Sequence, residues 1–92
     1  MVIISQDKTM ILNFENIETI EIRNPLENND GKFKILCDTT SDNQYTIAGY
    51  EKEERAKEVL QEIISKYKIT LYNSKTNETV VNVPKVYEMP TK

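Results

Sequence analysis

The chain of 92 residues contains no histidine and no tryptophan, and its only glycines are Gly31 and Gly49. Without histidine, neither a Ser-His-Asp nor a Cys-His catalytic arrangement can form, and histidine-containing zinc sites are excluded. Two glycines this far apart cannot build a phosphate-binding loop or a dinucleotide-binding motif, because both need closely spaced glycines. The remaining residues single out no catalytic pair, metal site or cofactor site. We therefore expect a protein that is not an enzyme.

Cysteine and long apolar runs are also scarce. Cys37 is the single cysteine, so no disulfide can form within the chain, which is typical of a reducing compartment. The first apolar run, Val2–Ile4, is too short for a signal peptide, and no run approaches the roughly 20 apolar residues of a membrane-spanning helix. These absences predict a cytoplasmic protein with no membrane partner.

The charge balance is mildly acidic, with 15 Asp and Glu against 12 Lys and Arg and a net charge of −3. Proteins dedicated to duplex nucleic acid usually have a basic excess or a basic face, so the composition argues against that partner. A chain of this size buries roughly 64% of its surface on folding, which leaves a small stability margin. We therefore expect a homo-oligomer, in which a second copy adds to that margin.

Residues 1–50 predict an antiparallel β-meander of about five strands. The first segment is a short apolar run, apolar and polar residues alternate in the later ones, and the short connections make consecutive strands antiparallel neighbours. Ile17 is out of phase with Ile20 and Ile22, which indicates a bulge or a turn contact there. The five segments are Val2–Ser5, Thr9–Phe14, Ile17–Asn24, Lys32–Thr39 and Gln44–Tyr50.

The apolar period changes to that of an amphipathic helix after residue 50. The pattern predicts a helix from about Glu53 to Tyr67, wide enough on its apolar side to cover one face of the sheet. The predicted fold is therefore α+β, with a single domain over residues 1–68. The apolar stripe consists of Ala56, Val59, Leu60, Ile63, Ile64 and Tyr67.

Residues 69–92 predict an extended C-terminal arm. Tyr72–Asn77 is polar and typical of a loop, whereas the segments that end at Pro84 and Pro90 are rich in valine. Such apolar content is typical of an ordered arm that packs on its own domain or on a neighbouring subunit. The candidate interface residues are Tyr72, Val81, Val83, Val86, Tyr87 and Met89.

A candidate ligand site lies on the outer face of the predicted sheet. Arg23, Lys32 and Lys34 can share that face, where they could meet an anionic ligand with Tyr50 beside them. The alternative is that these cations pair with acidic residues on neighbouring strands, which is the ordinary use of mixed charge on an exposed sheet.

Several short stretches, taken together, carry the pattern S-Q-D-K, L-N-F, G-Y-x-x-E-E-R-A-K-E-V-L and Y-E-M-P. With this set the chain resembles a family of small proteins carried by phages, prophages and integrative elements of Gram-positive bacteria. The family usually has Thr or Ser before the Glu-Glu pair, where this chain has Lys52. The stretches are Ile3–Lys8, Leu12–Ile17, Ile20–Ile22, Gly49–Tyr50, Glu53–Ile63 and Tyr87–Pro90.

The resemblance implies a mobile-element origin inside a bacterial host cell, and it supplies no catalytic motif and no assigned functional residue. Accessory phage genes of this size often encode proteins that block host defences. The expectation is therefore a non-catalytic binding protein that occludes a host protein or sequesters an immune nucleotide signal. The alternative is a phage structural or assembly component, or an adaptor with no role in defence.

Overall fold

The computed structural model describes the backbone of residues 1–27, 30–76 and 86–92, and the side chains of these ranges except 27 and 68–76. It confirms the α+β class. The described residues form six strands, one α-helix and two 3₁₀ turns, the turns lying at Phe14–Asn16 and Pro25–Glu27. The strands and helix are β1 (Val2–Ile4), β2 (Ile11–Asn13), β3 (Ile17–Arg23), β4 (Phe33–Thr39), β5 (Gln44–Tyr50), α1 (Glu53–Thr76) and β6 (Val86–Glu88).

The strands form two three-stranded sheets, so the prediction of one five-stranded meander is wrong. The first sheet has the order β2-β1-β6 and the second the order β3-β4-β5. The 3₁₀ turn at Phe14–Asn16 lies between β2 and β3 and redirects the chain. The Asn13 side chain caps this turn by accepting a hydrogen bond from the Glu15 backbone N–H at 3.1 Å.

Strand β6 places the last part of the predicted arm on the chain's own domain. It pairs with β1 in parallel, with Ile3 opposite Tyr87, and the Met89 N–H then donates to the Ile4 oxygen at 3.0 Å. Strand β2 pairs with the other edge of β1 in antiparallel. The central strand of the first sheet is therefore the N-terminal strand, held between elements from both ends of the chain.

The second sheet has irregular pairing at two points. The pairing register of β3 with β4 changes between Ile17 and Thr19. This confirms the predicted irregularity at Ile17. A second shift lies between β4 and β5, where Ile35 pairs with Ala48 but Leu36 pairs with Thr46. Strand β5 therefore has one extra residue, Ile47, and such a bulge changes which residues downstream of it point inward.

Helix α1 covers the second sheet and closes the core. Ile35, Cys37, Ile47, Val59 and Ile63 are each at most 1% exposed. Burial raises the pKa of the Cys37 thiol, so this residue acts as a small apolar side chain of the core.

The helix is longer than predicted, because it continues to Thr76. The prediction of a loop over Tyr72–Asn77 is therefore wrong as far as Thr76. Glycine and proline are the residues that most strongly stop a helix, and the chain has neither between Gly49 and Pro84. Within the described residues, no helix has the length and apolar character needed to cross a membrane.

Candidate functional site

A cleft of about 540 Å³ lies where the end of β5, the start of α1 and the C-terminal segment meet. The C-terminal segment, Met89–Lys92, is called the strap below. The cleft is lined by residues from the first hairpin, the second sheet, the helix and the strap. These residues are Gln6, Lys32, Gly49, Tyr50, Glu51, Lys52, Arg55, Thr91 and Lys92.

The lining of the cleft is strongly biased towards positive charge. Among the lining residues that the structure describes, Lys32, Lys52, Arg55 and Lys92 have cationic side chains and Glu51 is the one with an acidic side chain. The whole chain has the opposite balance, with a net charge of −3. A concave surface lined by one sign of charge raises the local concentration of ions of the other sign, so the cleft is suited to an anion.

A wider depression of about 640 Å³ runs along the outer face of α1, and its lining has mixed charge. Alternating acidic and basic residues are the usual composition of a solvated helix face. The depression shows no preference for an ion of either sign. Its lining residues are Glu54, Lys57, Glu58, Gln61, Glu62, Ser65 and Lys66.

Gln6 joins the first hairpin to the second sheet and to the strap. Its backbone N–H donates to the backbone oxygen of Ile47 at 2.8 Å. Ile47 is the extra residue of the β5 bulge. The Gln6 side-chain Oε1 accepts from the Gly49 N–H at 2.8 Å, and its Nε2 donates to the backbone oxygens of Pro90 at 3.1 Å and Thr91 at 3.2 Å. One glutamine therefore fixes three walls of the cleft relative to one another.

The hairpin turn that carries Gln6 is held by Asp7. Its Oδ1 accepts hydrogen bonds from the Ser5 hydroxyl at 2.8 Å, the Thr9 hydroxyl at 2.6 Å and the Thr9 N–H at 3.0 Å. These hydrogen bonds, chiefly that from the Thr9 hydroxyl, lower the pKa of the Asp7 carboxyl. Lys8 completes the turn with a φ of 62°, in the left-handed region.

Lys52 stands at the N-cap of α1, where its backbone oxygen accepts the first helical hydrogen bond from the Ala56 N–H at 3.2 Å. Ser, Thr, Asp and Asn are preferred at this position because their side chains accept a hydrogen bond from the first turn. Lysine has no acceptor, and its cation faces the positive end of the helix macrodipole. Lys52 therefore costs helix stability where it stands, while it supplies a positive charge to the cleft.

Arg55 is held in place by partners on both sides. Its Nε donates to the backbone oxygen of Lys92 at 2.9 Å, and its Nη1 lies 3.5 Å from a Glu62 carboxylate oxygen and 3.9 Å from one of Glu58. The two carboxylates offset part of its charge. Lys32, Lys52 and Lys92 are the other cationic residues of the lining.

The sequence-based ligand candidates separate into two that line the cleft and two that do not. Lys32 and Tyr50 line it. Lys34 lines a neighbouring depression of about 200 Å³ and its ammonium lies 3.1 Å from an Asp30 carboxylate oxygen. Arg23 lies on β3 with its guanidinium 3.3 Å from Glu21. Lys34 and Arg23 therefore pair with acidic residues, but these are a residue that precedes β4 and a residue of the same strand, not residues of neighbouring strands as in the alternative prediction.

Tyr50 has a different role from the one expected of an exposed aromatic residue. The alternation of β5 predicts Tyr45, Ile47 and Gly49 on one face, but the bulge at Ile47 turns Tyr50 inward, where it is 3% exposed. Its hydroxyl donates to the Pro90 oxygen at 2.7 Å. The ring is therefore buried and offers no stacking surface to a ligand.

The interface candidates are also divided by the structure. Val86 points outward from β6 and is 52% exposed, whereas Tyr87 and Met89 lie in the chain's own core. The Tyr87 hydroxyl donates to a Glu62 carboxylate oxygen at 3.2 Å. The candidates whose side chains lie outside the described residues are Tyr72, Val81 and Val83.

Seven of the lining residues of the cleft were not predicted from the sequence to belong to a site. Their positions come from long-range packing, and nothing in a local pattern marks them as a group. Only Lys52 had a local signal, because it replaces the N-cap residue of the family that the chain resembles. The seven are Gln6, Gly49, Glu51, Lys52, Arg55, Thr91 and Lys92.

Burial raises the pKa of Tyr50 from its ordinary 10.0 to about 12, and burial with the nearby Glu62 charge also raises that of Tyr87. A raised pKa means that the folded state holds the phenol proton more tightly. The contribution of the Tyr50 phenol to the free energy of unfolding is fully present below pH 10 and is lost as the pH rises from 10 to about 12.

We expect Tyr50→Phe to remove part of this alkaline dependence. The variant loses one hydrogen bond to Pro90, at a cost of about 1 kcal/mol below pH 10. Its free energy of unfolding, measured by urea denaturation across the alkaline range, should fall less steeply between pH 10 and 12 than that of the wild type. Equal slopes for the two proteins would show that folding does not raise the pKa of the Tyr50 phenol.

Comparisons with protein-family models, with curated proteins and with solved structures gave no match to this chain. Within the described residues, no group of three or more His, Cys, Asp or Glu side chains is arranged to hold a metal ion. The cationic residues that line the cleft suit it to holding an anion.

Proposed function

We propose that this protein is a non-catalytic binding protein that captures an anionic group in the basic cleft, and that it acts for a mobile element against a defence of its bacterial host. The observation that carries the proposal is the concentration of four cations around one cleft of an acidic chain. The volume of about 540 Å³ falls within the range of about 300–1,000 Å³ that is common for ligand sites.

Two sources of the anionic group are compatible with such a cleft: acidic side chains of a host protein, or the phosphates of a nucleotide signal. A nucleotide site normally adds an aromatic surface on which the base stacks. Tyr50 is the one aromatic residue of the lining, and its ring is buried. The geometry therefore favours an acidic group presented by a host protein.

A thermal-shift panel distinguishes these sources. Inorganic pyrophosphate, a peptide rich in Asp and Glu, and cyclic and ADP-ribose-type nucleotides are each mixed with the protein. We expect pyrophosphate and the acidic peptide to raise the melting temperature, and the nucleotides to add nothing beyond their phosphates. A larger shift with one nucleotide would favour signal sequestration, and no shift with any of the compounds would contradict the proposal.

Lys52→Ser provides a test in which stability and binding change in opposite directions. Serine can cap the helix, so we expect the free energy of unfolding to rise by about 1 kcal/mol, which is about 4–8 °C in melting temperature for a domain of this size. Loss of the cation should weaken pyrophosphate binding about threefold, from the Coulomb energy of one exposed charge.

Lys57→Ser is the matched control for binding, because Lys57 lies on the outer side of the same helix and pairs with Glu53 at 3.2 Å. It should leave the affinity for pyrophosphate unchanged. Unchanged affinity in Lys52→Ser would show that Lys52 does not contribute to an anion site. A lower melting temperature for that variant would contradict the N-cap argument.

Self-association and mobile-element origin are separate parts of the proposal. A solution mass above the 10.7 kDa of one chain, measured by light scattering, would support the homo-oligomer. Placement of the gene among head and tail genes would instead favour an assembly component. Placement in an accessory region would support a role against host defence.

A further inference from the structure

The strap forms one wall of the basic cleft. Thr91 and Lys92 belong to its lining, and Lys92 is one of the four lining residues with a cationic side chain. Met89, the first residue of the strap, is 3% exposed and is anchored to β1 by its hydrogen bond to Ile4. The strap thus has a buried start and an exposed end that borders the cleft.

The side chains that hold the strap are themselves cleft residues. The Tyr50 hydroxyl and the Gln6 amide both donate to the Pro90 oxygen, and the Gln6 amide also donates to the Thr91 oxygen. The Arg55 Nε donates to the Lys92 oxygen. All three donors lie on the domain side of the cleft, so the docked strap and the shape of the cleft depend on the same contacts.

We propose that the strap is a working part of the anion site, with Lys92 as a binding residue, and that anion binding and strap docking are coupled. This inference rests on the proposed function of the cleft. Docking of the strap adds Lys92 to the cationic residues that line the rest of the cleft, Lys32, Lys52 and Arg55. An anion in the cleft therefore binds the docked form more tightly and shifts the strap towards that form. The coupling is reciprocal, so loss of the docked strap weakens anion binding by the same factor.

Arg55 gives the coupling a structural basis. Its guanidinium is shared between the Glu58 and Glu62 carboxylates and the backbone oxygen of Lys92. When the strap is undocked, the guanidinium loses the Lys92 oxygen and keeps the Glu58 and Glu62 carboxylates, which hold it on the helix. Docking of the strap adds a partner on the cleft side, so the same event brings in Lys92 and fixes Arg55 beside it.

The test combines backbone dynamics with a charge variant, and inorganic pyrophosphate is the probe. We expect saturation with pyrophosphate to raise the nuclear magnetic resonance order parameters of the Thr91 and Lys92 amides, from flexible values towards the roughly 0.85 of a rigid backbone. Ser41, in the exposed turn between β4 and β5 at the opposite end of the second sheet, is the control and should not change.

In parallel, Lys92→Met keeps most of the side-chain stem and removes the charge, so the affinity for pyrophosphate should fall about threefold. Lys57→Met, on the outer side of α1, should not change it. The inference is overturned if pyrophosphate binds without raising the order parameters of the strap, or if Lys92→Met binds pyrophosphate as well as the wild type. In either case the proposed anion site in the cleft is retained. If pyrophosphate does not bind at all, the proposed function fails and the inference fails with it.

Discussion

Replacing Ile35 with alanine is expected to remove a large part of the protein's free energy of unfolding at room temperature. Ile35 is completely buried in the central strand of the second sheet, beneath α1. Replacing a buried isoleucine with alanine usually lowers the free energy of unfolding by about 2–5 kcal/mol, because the shorter side chain leaves a cavity. The total free energy of unfolding of a small domain is only about 5–15 kcal/mol. We expect the value for this chain near the lower end of that range because its core is small.

Ile11→Ala is the matched control for this experiment. It is the same chemical change at a position in β2 that is 72% exposed. It should change the free energy of unfolding by no more than about 0.5 kcal/mol. Urea denaturation followed by circular dichroism measures both variants. Equal losses of stability at the two positions would contradict the core described above.

The second large effect is expected for Tyr87→Ala, in the strand that comes last in the chain. Tyr87 is 6% exposed, lies opposite Ile3 in the parallel pairing with β1, and donates its hydroxyl to Glu62. Truncating a buried aromatic ring commonly costs about 3–5 kcal/mol. We expect a loss in that range, with the unfolding transition still cooperative.

The neighbouring residue of the same strand offers the control. Val86 is 52% exposed on the outer side of β6, so Val86→Ala should cost no more than about 0.5 kcal/mol. Guanidinium or urea denaturation of both variants makes the comparison. If Tyr87→Ala cost as little as Val86→Ala, strand β6 would not belong to this core, and the strap that follows it would lose its anchor.

The fold was predictable where the sequence pattern is local. The helix start and the irregularity at Ile17 follow from periodicity and from steric preferences, and the structure agrees with both. The division into two sheets was not predictable in this way. It depends on the pairing of β1 with β6, whose partner residues Ile3 and Tyr87 are far apart in the sequence.

The bulge in β5 shows how one residue changes a site. Strict alternation places Gly49 inward and Tyr50 outward, and it made Tyr50 a candidate for ligand contact. The extra residue Ile47 reverses this order, so Tyr50 becomes a core residue that positions the strap. Alternation alone cannot reveal a bulge whose two flanking residues, Ile47 and Ala48, are both apolar and both buried.

Lys52 illustrates a signal that was visible in the sequence but could not be interpreted there. A lysine at an N-cap breaks a local preference, and such departures are expected where function outweighs stability. The sequence does not show that Lys32, Arg55 and Lys92 lie around the same space. Lys52 becomes a cleft residue only because the hairpin and the strap pack against the start of the helix.

The central claim, that the cleft binds an anion, is tested most directly by titrating the isotope-labelled protein with inorganic pyrophosphate at low ionic strength and following its backbone amide signals. We expect saturable shifts that are largest at Gly49, Lys52 and Arg55, and that diminish when salt is added because the cations of the cleft are partly exposed. Shifts that do not saturate, or that are larger at Lys57 on the outer face of α1 than at these residues, would contradict the account.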